Sequence, residues 1–191
     1  MKNFLDIDEQ IERSEKYLDF YYAGYQKTLS KFSILSILYS LMAIYLIQIF
    51  KFPFENIKAL IFLPLVFYSI FLAFFLFNII TSIYNAYLIL KPVDVAYINE
   101  PRFFYEKIKK QYETALATTN TAVLNEYIKA TYLKELESAI EANSALYKEK
   151  SRYYYNAFTK GLLALVFYIF CSSFVILFAK NGIEKIEISN V

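Results

Sequence analysis

Three stretches of the chain carry no charged residue: Phe32 to Phe50, Ala59 to Leu90 and Gly161 to Ala179. Each is near or above the ~18 to 20 residues that a helix needs to cross the hydrocarbon layer of a bilayer. The predicted fold class is therefore all-α: an integral membrane protein with about three transmembrane helices and a cytoplasmic helical, coiled-coil-like domain. The second stretch is too long for a simple crossing, because 32 residues rise roughly 48 Å against a core of ~30 Å. It is expected to tilt or to continue into the cytoplasm. The third stretch is apolar on all faces, which favours a full crossing over a segment folded back on the membrane surface.

Basic residues orient these segments. Four precede the first span (Arg13, Lys16, Lys27, Lys31), five follow the second (Lys91, Arg102, Lys107, Lys109, Lys110) and four precede the third (Lys148, Lys150, Arg152, Lys160). Only four lie in the loop at 51–58 and the tail after 179. Since short cytoplasmic loops retain Lys and Arg, the bias predicts a multi-pass protein of an inner (plasma) membrane with a cytoplasmic amino terminus. The mixed charges of residues 1–31 also lack the form of a secretory signal. The expected layout is a cytoplasmic amphipathic helix at 1–31 and a transmembrane hairpin at 32–90. A cytoplasmic helical domain at 91–160, a third span at 161–180 and a short external tail at 181–191 complete it.

Within 1–31, Ile11, Leu18, Tyr21, Tyr22, Tyr25 and Leu29 recur at helical spacing. That aromatic face suits either the lipid interface or packing against the later cytoplasmic helices. Acidic residues outnumber basic ones here, which favours packing. Lys51 to Lys58 is short and holds Pro53, so the first two spans are expected to form a tight hairpin. Pro92 and Pro101 bound an extended or turned stretch, with a new helix starting at Pro101, a favoured first-turn position. That helix is expected to run from Arg102 to about Ala117. The run Thr118, Thr119, Asn120 and Thr121 favours a turn with a fresh cap, so a second helix follows from roughly Ala122. Leu133, Leu136, Ile140, Asn143 and Tyr147 alternate spacings of three and four, the seam along which one helix packs on another, here assigned to an oligomer. With no proline after Pro101, this helix is expected to continue through Gly161 into the third span, roughly 85 Å in all.

Missing residue types narrow the chemistry. The chain has no histidine, which removes an imidazole base, Ser-His-Asp or Cys-His arrangements and histidine metal ligands. Its three glycines, Gly24, Gly161 and Gly182, are scattered and form no phosphate-cradling loop. The single Cys171 allows no internal disulfide, and a net charge of +2 is too small for bulk attraction to nucleic acid. Glu137 and Glu141 share a helix face but read as a solvated surface. No enzymatic activity, cofactor or metal is expected. The richness in Phe, Tyr, Ile, Lys and Asn suits an AT-rich bacterial genome.

Four polar side chains, Asn78, Thr81, Ser82 and Asn85, fall on one stripe of the second span. They either hydrogen-bond neighbouring helices or line a water-filled passage in an oligomer. Further along lie Phe71, Phe74 and Phe75, which either face lipid or, repeated by symmetry, form a hydrophobic gate. Arg102, Lys107, Lys109 and Lys110, mixed with Tyr97, Phe103, Phe104 and Tyr105, suit a nucleotide or, as juxtamembrane residues, lipid headgroups. One chain with three spans is too thin to enclose a channel, so a pore requires a homo-oligomer.

An amino-terminal helix, a hairpin at 32–90 and a helical cytoplasmic region together resemble the two-span effectors of bacterial nucleotide-signalling anti-phage systems. The stretch Tyr132-Leu-Lys-Glu-Leu-Glu-Ser-Ala-Ile-Glu-Ala-Asn143, followed by basic and aromatic residues leading into a terminal span, is similar to Hailong-type membrane effectors. The resemblance implies an oligomeric channel or membrane disrupter that passes ions and answers to a nucleotide or oligonucleotide made by a partner nucleotidyltransferase. A non-conducting scaffold that recruits a partner protein is the competing expectation. A small transporter is disfavoured because the three apolar blocks hold no ionisable coupling group.

Overall fold

The computed structural model describes residues 6–56, 62–117 and 120–189, with side chains for 6–54, 64–117 and 120–177. Among the described residues there is no strand, and the chain is about 90% helical. The elements are α1 (Ile7–Ser30), α2 (Phe32–Ala43), α3 (Leu46–Asn56), α4 (Phe62–Leu90), α5 (Pro101–Phe103), a π-helical turn (Phe104–Ile108), α6 (Lys109–Leu116) and α7 (Thr121–Ser189). Three helical stretches, Ile7–Phe54, Pro64–Leu90 and Thr121–Leu177, are long and apolar enough to cross a membrane.

The chain divides into two compact units, the first made of residues 1–28 and 92–151, the second of 29–91 and 152–191. The amino-terminal helix thus belongs with the middle of the chain. In the first unit the Asp6 carboxylate accepts from the Asp8 N–H at 2.9 Å and caps α1. Leu18 of α1 then packs with Leu136 and Ala139 of α7, flanked by Ile11, Tyr22, Ile98 and Ile140. Residues 92–100 are neither helix nor strand, in keeping with the prolines that bound them. Asn143 clamps this segment at Ala96, donating to the carbonyl at 2.9 Å and accepting from the N–H at 3.1 Å. The Tyr22 hydroxyl adds a 2.6 Å bond to the same carbonyl. After α6, Ala117 turns left-handed (φ 46°). Asn120 then caps α7 through the Ala122 N–H at 3.0 Å.

The second unit is built on Leu38, Met42, Ile49, Phe52, Tyr68 and Phe75, closed by Ala164, Tyr168 and Cys171 of α7. Leu35, Ala86, Ile89 and Ala157 form a second cluster. The helix of the first span is interrupted at Ile44 and Tyr45. There the Tyr168 hydroxyl sits between the Leu41 carbonyl (3.4 Å) and the Tyr45 N–H (3.3 Å), a pair that would bond directly in a regular helix. A side chain inserted in the ladder is a recognised cause of a helix break.

One boundary departs from expectation. Residues 51–56 are helical through Pro53 instead of forming a hairpin loop; Lys58 lies outside the described residues. Proline is tolerated because the Tyr68 hydroxyl occupies the Ile49 carbonyl that Pro53 cannot bond. The second span's helix ends at Leu90, where Pro92 disfavours helical geometry at Lys91. Residues 181–189 continue α7, where Gly182 opposes the helix at a cost of about 1 kcal/mol.

Candidate functional site

The polar stripe of α4 is divided by packing. Ser82 is fully buried: its hydroxyl donates to the Ala157 carbonyl of α7 at 2.6 Å and lies 2.7 Å from the Tyr39 hydroxyl of α2. Three helices meet at this oxygen. Gly161, one turn after Ala157, makes the approach possible, because a Cβ there would stand 3.1 Å from the Ser82 hydroxyl and 2.8 Å from Leu38 Cδ2. Asn78 is buried and returns its amide to the Phe74 carbonyl at 2.8 Å. Thr81 and Asn85, bonded to the carbonyls of Phe77 and Thr81, stay partly exposed.

The three phenylalanines do not share one environment. Phe71 stacks on Phe170 (5.3 Å, 13°) and Phe74 on Phe167 (5.3 Å, 17°), an aromatic seam between α4 and α7. Phe75 lies in the core against Tyr168. The seam assigned to an oligomer is occupied within the chain. Leu136 and Asn143 are buried, Ile140 and Leu133 are half-buried, and Tyr147 meets Phe20 and Tyr21 of α1. The physical reason is that α1 supplies the second helix that such a seam needs.

The basic cluster at 102–110 is not gathered around one cavity. Arg102 pairs with Glu106 at 2.7 Å, Lys109 with Glu113 at 3.7 Å, and Lys107 lies over the Phe103 ring. Lys110 is exposed, and Tyr97 is stacked on Tyr22. These i, i+4 pairs follow from helical spacing and are worth a few tenths of a kcal/mol.

The first unit does hold a cavity of about 360 Å³ beside that cluster, lined by residues of the 98–105 segment together with Asn125, Ile128, Lys129 and Tyr132 of α7. The π-helical turn begins at its wall: Phe104 is buried and stands edge-on to Tyr132 (5.3 Å, 89°). π-Helical turns are rare and concentrate at functional sites. Around the rim, Tyr132 donates to Glu15 at 2.7 Å, and the Asn99 amide to both oxygens of Glu135 at 3.0 and 3.1 Å. Lys129 is held by both oxygens of Asp8 at 2.6 and 2.7 Å. Burial, then the hydrogen bond and charge of Glu15, push the Tyr132 hydroxyl up to about 12. Burial likewise raises Tyr22, partly offset by Asn143.

Tyr97, Phe103, Phe104 and Tyr105 marked this neighbourhood in the sequence, but the α7 wall carried no motif. Tyr39, Tyr68 and Tyr168 carry no motif either. A proline beside an apolar run and tyrosines within the spans are the available signal, since each implies a backbone group or hydroxyl in need of a partner. Among the described residues no group of three or more His, Cys, Asp or Glu side chains is placed to hold a metal.

Fold and packing define an all-α protein with three helices able to cross a membrane. No protein family, curated protein or solved structure matches the chain.

Proposed function

We propose that this protein is a non-enzymatic, homo-oligomeric membrane effector, a gated channel or membrane disrupter controlled by a small cytoplasmic ligand. The observation that supports this reading is the dual use of α7. Its residues Asn125 to Tyr132 line the cavity, and the same helix supplies Ala157, Gly161, Ala164 and Tyr168 to the core of the other unit. A ligand that shifts or rotates the start of α7 acts on one end of an element whose other end carries the packing of the spans. The basic residues flanking the spans support a plasma-membrane protein with the first unit in the cytoplasm. By its resemblance to nucleotide-signalling effectors, the protein would act in bacterial anti-phage defence.

In such an oligomer Thr81 and Asn85, the partly exposed members of the stripe, line the passage, while Ser82 ties α4 to α7 and α2 and the buried Asn78 bonds back to its own helix. The test is ion flux from liposomes containing purified protein, with and without candidate nucleotides and other small metabolites. Thr81→Leu and Asn85→Leu are expected to lower flux, and Tyr132→Ala to remove ligand control. Tight liposomes under every condition, with inserted oligomer verified, would sink the channel.

The burial of Asn78 and Ser82 favours a second reading, a non-conducting scaffold that captures a partner protein through its first unit. It expects pull-down of that partner to survive Thr81→Leu and Asn85→Leu and to be lost on replacing exposed residues of the first unit.

A further inference from the structure

We propose that the cavity beside the π-helical turn binds a small, planar, uncharged heteroaromatic molecule, a free base or nucleoside in character, and excludes polyphosphates. This deepens, and rests on, the reading of the first unit as a ligand sensor. Size sets the first limit, because about 360 Å³ lies at the low end of the roughly 300–1,000 Å³ typical of small-molecule sites. One ring system with a short appendage fills it; an oligonucleotide does not.

The walls set the second limit. Phe104, Tyr105 and Tyr132 present aromatic surface, and Ile98, Pro101 and Ile128 add apolar area. Stacking on such side chains contributes about 1–3 kcal/mol per base and accepts any flat π-face. Hydrogen-bonding edges are matched by two carboxamides. Asn99 spends its amide on Glu135 and so offers its carbonyl oxygen, whereas Asn125 makes no hydrogen bond among the described residues and offers both groups.

Charge sets the third. Among the described residues of the lining, Lys129 is the one cation, and Asp8 holds it. Glu15 and Glu135 each sit one hydrogen bond behind the lining, on Tyr132 and Asn99. Three carboxylates against one ammonium make the site repel phosphate, a selectivity built from repulsion as much as from attraction. Of the basic side chains that could reverse this balance, Arg102 and Lys109 are matched to Glu106 and Glu113, while Lys107 lies over the Phe103 ring and Lys110 is exposed, both outside the lining. The π-helical turn has a place in this arrangement: its departure from regular helical bonding begins where Phe104 enters the site.

The experiment is calorimetric titration of full-length protein in lipid nanodiscs with adenosine, guanosine, cytidine, thymidine and indole, and with AMP and ATP as charged counterparts of adenosine. At least one neutral compound is expected to bind. Affinity should fall about tenfold from nucleoside to monophosphate, a difference of about 1.4 kcal/mol, and vanish with ATP. Asn125→Leu, an exposed replacement that leaves the fold intact, should weaken binding. Asp8→Asn, which releases Lys129, should narrow the gap between nucleoside and monophosphate. ATP binding as tightly as adenosine, or no binding by any neutral compound to protein of native helicity, overturns the proposal. Flux measured on the same preparation separates the two readings. Neutral-ligand binding without a change in flux counts against the gated effector and leaves the site standing. ATP-triggered flux without neutral-ligand binding does the opposite.

Discussion

The Tyr68 hydroxyl donates a 2.7 Å hydrogen bond to the Ile49 carbonyl, the oxygen that Pro53 leaves without its helical N–H partner. Both Tyr68 and Ile49 are fully buried, so neither water nor lipid can replace the bond. Tyr68→Phe should therefore destabilise the spans by about 1–2 kcal/mol, the range for hydrogen bonds between membrane helices. Pro53→Ala restores a donor four residues after Ile49, and the double variant should recover most of that loss. Unfolding in mixed micelles measures the cycle; strictly additive effects would refute the coupling. Tyr168→Phe should cost less than Tyr68→Phe, because its bonds at 3.3 and 3.4 Å are long.

The spans were legible in the sequence because apolar runs of that length have few alternatives, and the non-helical segment after Pro92 because proline restricts its own backbone and its neighbour's. The partners of those elements were not. Leu133 to Tyr147 has the spacing of any helix-packing seam, and spacing alone does not say whether the second helix comes from another copy or from α1. Asn78, Thr81, Ser82 and Asn85 are equivalent on a helical wheel, yet only Ser82 faces a bare backbone, because the glycine opposite it lies 79 residues away in sequence at Gly161. Lys107 and Lys109 suggested anion binding, but their immediate helical neighbours, which include Phe103 and Glu113, claim them.

Gly161→Ala tests that close approach. Replacing glycine by alanine in a helix normally gains up to about 1 kcal/mol, whereas forcing a methyl group against Leu38 and Ser82 costs about 1–3 kcal/mol. A net loss of roughly 1 kcal/mol is expected, with the Ser82 bond to Ala157 lengthened. In a Leu38→Ala background the same change should turn favourable, because the nearest obstructing atom is gone. Stabilisation of the otherwise native protein by Gly161→Ala would show that the helices tolerate the methyl without this packing.

Asn143→Leu distinguishes an internal clamp from an oligomer register. Losing both bonds to Ala96 while Tyr22 keeps the carbonyl leaves one N–H without its partner, and the first unit should lose about 2–4 kcal/mol. Hydrogen exchange at the Ala96 amide should accelerate, and the 92–100 segment should become protease-sensitive. Oligomer size by light scattering should not change. Dissociation of the oligomer with the Ala96 amide still protected would assign Asn143 to an intermolecular seam.

Alkaline titration probes the cavity wall. Burial and Glu15 raise Tyr132 from an ordinary 10.0 to about 12, so the folded protein holds this proton more tightly than the unfolded chain. The resulting stabilisation is fully present below pH 10 and is lost as pH rises through 12. Of the 19 tyrosines, Tyr132 should be among the late ones to ionise, visible as a missing high-pH step in the tyrosinate absorbance of Tyr132→Phe. Glu15→Gln should bring that step to lower pH without abolishing the shift, since burial is the larger cause and remains. If Tyr132→Phe removes absorbance near pH 10 instead, the hydroxyl is not enclosed between α7 and α1, and the cavity wall is open to solvent at that point.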